Sequence, residues 1–365
     1  MGRNRSGSAV KSPAITRVGV IVIAALLLLG ATGCVPDAPE LKPTPSPWAT
    51  PTPTSTPTGP TESIAGCPSG IAVSSGSELA DAVASAVPGD VVLLEPGTYA
   101  GPFVIGSSGA EGAEITLCGG RDAIIDGGRG GYALQLVRAS FWRLQGFSVS
   151  GGQKGLMLDG SSRNTITGLS VRRSGDEAIH LRTGSSDNLV ASNEITQTGL
   201  RKARYGEGIY VGSAESNWCD LNGCQPDRSD RNRLIGNIIS ETTAESIDVK
   251  EGTTGGEIRG NTFDATGMSE ADSYVDIKGS GWTIADNIGV NSPVDGAQVH
   301  VIDEGPGSGN VFSANRFAAG AEGYAINVLG DARDAGNRVL CNNAATEPSA
   351  AAVGRRISNV ECVRG

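Results

Sequence analysis

Short runs in which apolar residues alternate with others return along the chain at a nearly constant step. They read Leu134-Gln135-Leu136, Leu156-Met157-Leu158, Ile179-His180-Leu181, Ile209-Tyr210-Val211, Ile247-Asp248-Val249, Val275-Asp276-Ile277, Val299-His300-Val301 and Ile326-Asn327-Val328. Such brief alternation predicts strands with one buried face, and no helical period of ten or more residues separates the copies. A second pattern keeps the same step: Asn188/Asn193, Asn232/Asn237, Gly256/Asn261, Trp282/Asn287, Asn310/Asn315 and Asn337/Asn342. Its second members are 44, 24, 26, 28 and 27 residues apart, a spacing that marks a repeat architecture.

Strands without crossover helices can pair only by stacking coil on coil, in parallel. The expected fold is all-β, a right-handed single-stranded parallel β-helix of about ten coils, roughly 45–50 Å long at ~4.8 Å per coil. Inner Ile, Val and Leu would stack along the axis, and corner Asn side chains would hydrogen-bond from rung to rung. Ser77 ahead of Glu78 to Ala84 predicts an N-capped amphipathic helix that closes the first coil. Val91 to Leu94 begins the strands, Pro96 to Tyr99 reads as a turn, and Phe103 to Ile105 continues the rungs.

The ends divide the chain into three parts. Residues 1–33 hold Arg3, Arg5, Lys11 and Arg17, no acid, and the apolar run Val18 to Leu29, which is a signal peptide and too short for a membrane span. Ala31-Thr32-Gly33-Cys34 resembles a bacterial lipoprotein box, which implies lipidation of Cys34 and anchoring at the outer face of the cell membrane; ordinary secretion is the alternative. Residues 34–62, rich in Pro and Thr, form a linker, and 63–365 form the β-helix domain.

Six cysteines remain after Cys34, an even number in an exported chain. The expected disulfides are Cys67–Cys118 and Cys341–Cys362 at the two caps and Cys219–Cys224 within a loop; zinc is the alternative, but the spacing is not finger-like. Net charge is −10, and −14 once the four cations of the signal are gone, which argues against nucleic acid as a partner. A uronate polymer would need a local basic strip or a bridging metal.

The step of 44 residues holds one coil and about twenty extra residues, placed at Leu200 to Gly206, with Arg201, Lys202 and Arg204, and at Ser213 to Asp230, with Trp218. Insertions in solenoids become surface loops that commonly build a binding face. In the stacked strands the middle residues form one outward column, Met157, His180, Tyr210, Asp248, Asp276, His300 and Asn327. The residues after the strands form a second, Asp159, Arg182, Gly212, Lys250, Lys278, Ile302 and Leu329. Polar groups concentrate between Ile179 and Val301, and Asp176, Glu177, Glu207, Glu245 and Asp272 lie just upstream of the same strands.

Glu245-Ser246-Ile247-Asp248-Val249-Lys250 resembles the segment of the chondroitinase B and alginate lyase family in which a Glu precedes a catalytic Lys by five residues. The resemblance implies β-elimination on a uronate-containing polysaccharide, Lys250 as base, a cation from the next coil (here Lys278 in place of Arg), and calcium held by acids, with Glu245 matching a ligand. Glu207 and Asp248 would complete such a calcium site, and Arg182, His180 and Tyr210 are further acid/base or charge-stabilising candidates. Arg201, Lys202, Arg204, Trp218, Asp276 and His300 are candidates for substrate binding. An ion-pair ladder, a non-catalytic carbohydrate-binding surface lipoprotein, an epimerase and a β-helix glycoside hydrolase remain alternatives. The domain is expected to be a monomer.

Overall fold

The computed structural model describes residues 66–302, 307–346 and 356–365. The expected signal peptide, the linker and Cys34 lie outside the described residues.

Thirty short strands wind through three parallel sheets of eleven, ten and nine strands. One coil shows the plan. Arg233–Ile235 lies in the first sheet, Ile238–Ser240 in the second and Ile247–Val249 in the third, and Glu257–Arg259 opens the next coil. Each strand pairs in parallel with its counterpart one coil away, as Leu234 with Ile258, Ile239 with Phe263 and Ile247 with Val275. The expected parallel β-helix is the observed fold. With only two to six residues per strand, a coil buries one or two apolar side chains per face. Leu234, Ile239, Ile247 and Val249 are accordingly fully buried in one continuous core.

Two corner columns explain the Asn pattern. Between the first and second sheets the chain turns through a left-handed residue, Gly236 at φ 62° and Gly260 at φ 65°, where glycine avoids the Cβ penalty. The next residue is a buried Asn. Asn193, Asn237, Asn261, Asn287, Asn315 and Asn343 pass amide to amide along the axis at 2.9–3.0 Å, and each Nδ2 also reaches a backbone carbonyl of the preceding coil, Asn237 to Val190 at 2.9 Å. The last rung is Asn343, not Asn342, whose Oδ1 instead accepts from the Ala314 amide. A second ladder runs through Asn164, Asn188 and Asn232 at the preceding corner.

Helix Gly76–Ser85 packs Leu79 and Val83 onto the first coil. Its N-cap is Ser75, two residues before the expected Ser77, because the extended backbone at Ser75 lets its hydroxyl accept from the Glu78 amide at 3.3 Å. The expected turn at Pro96 to Tyr99 is largely strand, Gly97–Ala100, held by the buried Tyr99 hydroxyl, which donates to Val73 O at 2.6 Å. At the far end Ser358 and Val363 bridge to Ile326 and Leu340, so the C-terminal segment covers the last coil. The three disulfides join the expected pairs, with Cα separations of 5.8, 3.7 and 5.0 Å.

Candidate functional site

The third sheet carries the outward column on strands Lys154–Asp159, Ile179–Arg182, Ile209–Val211, Ile247–Val249, Ser273–Ile277, Asp295–Val299 and Ile326–Val328. Register partners run Met157, His180, Tyr210, Asp248, Asp276, Gln298 and Asn327. His300 and Ile302 are therefore misplaced in the expected columns. His300 stands in the second column after Lys250 and Lys278, its amide donating to Ile277 O at 2.9 Å. The strand that pairs is Ala297-Gln298-Val299, and a two-residue slip preserves alternation, so period alone does not separate the two registers.

The column residues point away from the core yet are mostly not solvent-facing as expected. His180, Asp248 and Asp276 are buried, at 5, 1 and 7 % exposure. Charged neighbours pack against them, Glu177 on His180, Lys250 and Lys278 on Asp248, and Lys278 and His300 on Asp276. Leu200 to Gly206 precedes strand Ile209–Val211 and Ser213 to Asp230 follows it. They flank a cleft of about 720 Å³ whose lining includes His180, Arg182, Arg201, Lys202, Arg204, Glu207, Tyr210, Glu245, Asp248 and Lys250.

Charge in the cleft is ordered along the axis. At one end Lys154 pairs with Glu177, Arg182 Nε lies 2.5 Å from Asp159 Oδ1, and Arg201 pairs with Asp176. Burial opposes the Arg182 charge, and Asp159 holds it. His180 Nε2 donates to Gly212 O at 2.9 Å, which leaves Nδ1 facing Glu177 Oε1 at 3.3 Å. Burial pushes His180 down. Burial would raise Glu177, but His180 and Lys154 outweigh it and bring it to about 2.

At the centre Lys250 Nζ lies 2.5 Å from Asp248 Oδ2 and 4.9 Å from the Tyr210 ring centroid, and the Tyr210 and His180 rings are 4.5 Å apart. Lys278 bridges Asp248 Oδ1 at 3.2 Å and Asp276, and His300 Nε2 lies 3.3 Å from Asp276 Oδ1. Burial alone would lower Lys250 and Lys278, but Asp248 dominates and raises both, so both are cations at neutral pH. The same two ammonium groups hold Asp248 below its usual range against burial. Burial pushes Tyr210 well above its usual range, helped by Asp248 and Glu207.

Glu207, Glu245 and Asp248 each bring a carboxylate oxygen within 4.8 Å of the others. Burial and the neighbouring anions raise Glu207 strongly and Glu245 to about 7, and the buried Glu207 Oε2 has no hydrogen-bond partner. Three oxygen donors, one of them orphaned, fit a hard cation such as calcium.

Lys250, Tyr210, His180, Arg182, Arg201, Lys202 and Arg204 thus meet in one cleft. Lys278, Asp276 and His300 sit beyond it along the column and are tied to one another, while Trp218 turns to the opposite side of its loop, where its indole donates to Ser213 O at 2.9 Å and lines a separate pocket of about 250 Å³ with Arg228 and Gly252. Lys154, which lines the cleft, is a functional candidate that the alternation missed. Lys154 lies two residues ahead of the Leu156 triplet on a strand longer than the triplet, and its pairing with Glu177 needs the coil register.

Fold and column together define the class: a right-handed parallel β-helix of the pectate lyase-like kind. A crystallised alginate lyase from Paenibacillus sp. str. FPU-7 is 34 % identical, with a TM-score of 0.70 over 80 % of this chain and 99 % of that one, and the chain belongs to its family. Pectate lyase Pel9A is 16 % identical with a TM-score of 0.56, over 77 % of this chain and 72 % of that one, a likeness of fold alone. Residues 128–301 also match the family described as periplasmic copper-binding protein (NosD). No curated protein matches the chain.

Proposed function

We propose that the protein is an exported polysaccharide lyase that cleaves a uronate-containing polymer by β-elimination. The observation that carries the reading is the contact of Lys250 with both Tyr210 and Asp248, beside the Glu207, Glu245 and Asp248 carboxylates and beneath a rim of Arg201, Lys202 and Arg204. The family relative is an alginate lyase, so alginate is the first substrate to test.

Elimination needs a base for the proton next to the carboxylate, a donor for the departing glycosidic oxygen, and positive charge against the enolate-like intermediate. Lys250, held charged by Asp248, suits donation and charge stabilisation better than the base role implied by the resemblance. His180 is engaged through Nε2 and faces a carboxylate through Nδ1, which leaves Tyr210 as the base that faces the cleft. In this assignment Tyr210, as phenolate, takes the proton. The released pair forms the new C=C bond, the C–O bond breaks, and Lys250 protonates the leaving oxygen. Arg182 and the Arg201 to Arg204 loop bind uronate carboxylates. A cation held by Glu207, Glu245 and Asp248 would neutralise the substrate carboxylate and remove the anionic part of the field that, together with burial, keeps Tyr210 protonated.

The carboxyl pair that the sequence offers to a glycoside hydrolase, Asp248 and Asp276, is bound on both members by Lys278. The test is ultraviolet absorbance of unsaturated ends from alginate, pectate, chondroitin and heparin, with and without a chelator. New reducing ends without the chromophore would sink the lyase reading in favour of hydrolysis, and no new ends in favour of binding alone. Lipid anchoring through Cys34 belongs to the same proposal, and Cys34→Ser should move the protein from the detergent phase to the aqueous phase.

A further inference from the structure

We infer that Asp227 is a positioning residue that fixes one wall of the cleft. The residues from Ala214 to Pro226 have no counterpart in neighbouring coils, so sheet pairing does not hold them. Asp227, fully buried, directly follows them, where the coil resumes and Ser185 N donates to Ser229 Oγ at 3.1 Å. Its Oδ2 accepts from the Thr183 amide at 2.8 Å and the Ser213 hydroxyl at 2.8 Å, and its Oδ1 from the Gly184 amide at 2.9 Å and the Ser229 hydroxyl at 2.7 Å. Thr183 and Gly184 both have positive φ, 54° and 81°, and their consecutive amides form a small anion nest on the preceding coil. One carboxylate therefore ties both ends of the insertion, Ser213 and Ser229, to the corner after Arg182.

The wall so held presents Ser213, Ala214, Ser216, Asn217, Asp220 and Leu221 to the cleft. Its other side rests on the next coil, where the Arg228 guanidinium donates to Gly252 O at 3.1 Å and a Cβ added at Gly252 would come 3.1 Å from the Trp218 ring. Asp227 supplies the link toward the coil that bears His180 and Arg182, and thereby sets the width between the wall and the cationic end. It touches no substrate itself.

The inference rests on the cleft being the substrate site. Asp227→Asn keeps the size but turns an amide toward donors. Hydrogen exchange should then accelerate roughly tenfold or more at residues 183, 184 and 213–221, while coils from Ile247 to Ile277 keep their protection. KM for the polyuronate should rise roughly tenfold, with kcat within about threefold. If Asp227→Asn does not fold, Ser213→Ala, which removes only the bond from the Ser213 hydroxyl to Asp227 Oδ2, should give the same pattern at smaller size. Unchanged exchange at 213–221, acceleration spread evenly over all coils, or a loosened wall with unaltered KM would overturn the assignment. Should the wild-type protein cleave no polyuronate, the proposed function fails separately, and the exchange pattern still shows whether Asp227 holds the wall.

Discussion

At the scale of residues the site is a stack of buried charges whose signs are set by neighbours one coil away. Asp248 is the hub, bound by Lys250 and Lys278 and adjoining Glu207 and Glu245. If Lys250 donates and Tyr210 accepts, Lys250→Ala and Tyr210→Phe should each lower turnover by about 10²–10⁴ while the β-helix still folds, since neither side chain belongs to the inner core. Turnover retained in either variant would remove that residue from the mechanism. Glu245 gives a pH signature. Its folded value of about 7 lies above the unfolded 4.5, so between these the folded chain keeps a proton that the unfolded chain has lost. Stability should therefore fall as pH rises from 4.5 to 7, by no more than about 3–4 kcal/mol at ~1.4 kcal/mol per unit. Calcium should reverse this loss, raising the melting temperature more at pH 8 than at pH 5. Equal shifts at both pH values would argue against binding at these carboxylates.

At the scale of elements the coil is the unit, and its corners are as informative as its strands. Asn237 donates to Val190 O and to Asn261, and accepts from both the amide and the side chain of Asn193. Asn237→Ala would leave a buried amide and a buried carbonyl without partners, each costing ~1–3 kcal/mol, so chemical denaturation should show a loss of about 3 kcal/mol. A loss under 1 kcal/mol would mean that the ladder contributes little. These corners were legible in the sequence because a buried Asn recurs at most of them, although Gly256 and Trp282 interrupt one column. The strands were legible through alternation, and so was the neighbourhood of Asp248, Lys250, Asp276 and Lys278. What alternation does not carry is translation along the axis: the pair Gln298/His300 can slip by two with every apolar residue still facing in. Nor does it say what covers a column. His180 and Asp248 line a cleft flanked by loops that Asp227 and Trp218 anchor, side chains that follow no period.

At the scale of the whole molecule stability is nearly one-dimensional, because each coil touches chiefly its neighbours and the two ends are the weak points. Both ends are stapled. Cys67–Cys118 closes 51 residues at the helix-capped end and Cys341–Cys362 closes 21 under the C-terminal segment. Chain entropy assigns these loops about 4 and 3 kcal/mol. The effect should stay local. In Cys341→Ser/Cys362→Ser the segment from Arg356 would lose its disulfide and keep hydrogen bonds such as Ala325 N to Arg356 O at 2.9 Å and Val328 N to Asn359 Oδ1 at 2.8 Å. Hydrogen exchange should then accelerate at Ile326–Val328 and Arg338–Val339 and fade coil by coil, with little change at Ile209–Val211. Turnover at low temperature should persist because the cleft lies several coils from the fraying end. Loss of protection at Ile209–Val211 equal to that at Ile326 would instead show that the cylinder opens as one cooperative body and that the C-terminal staple supports the site itself.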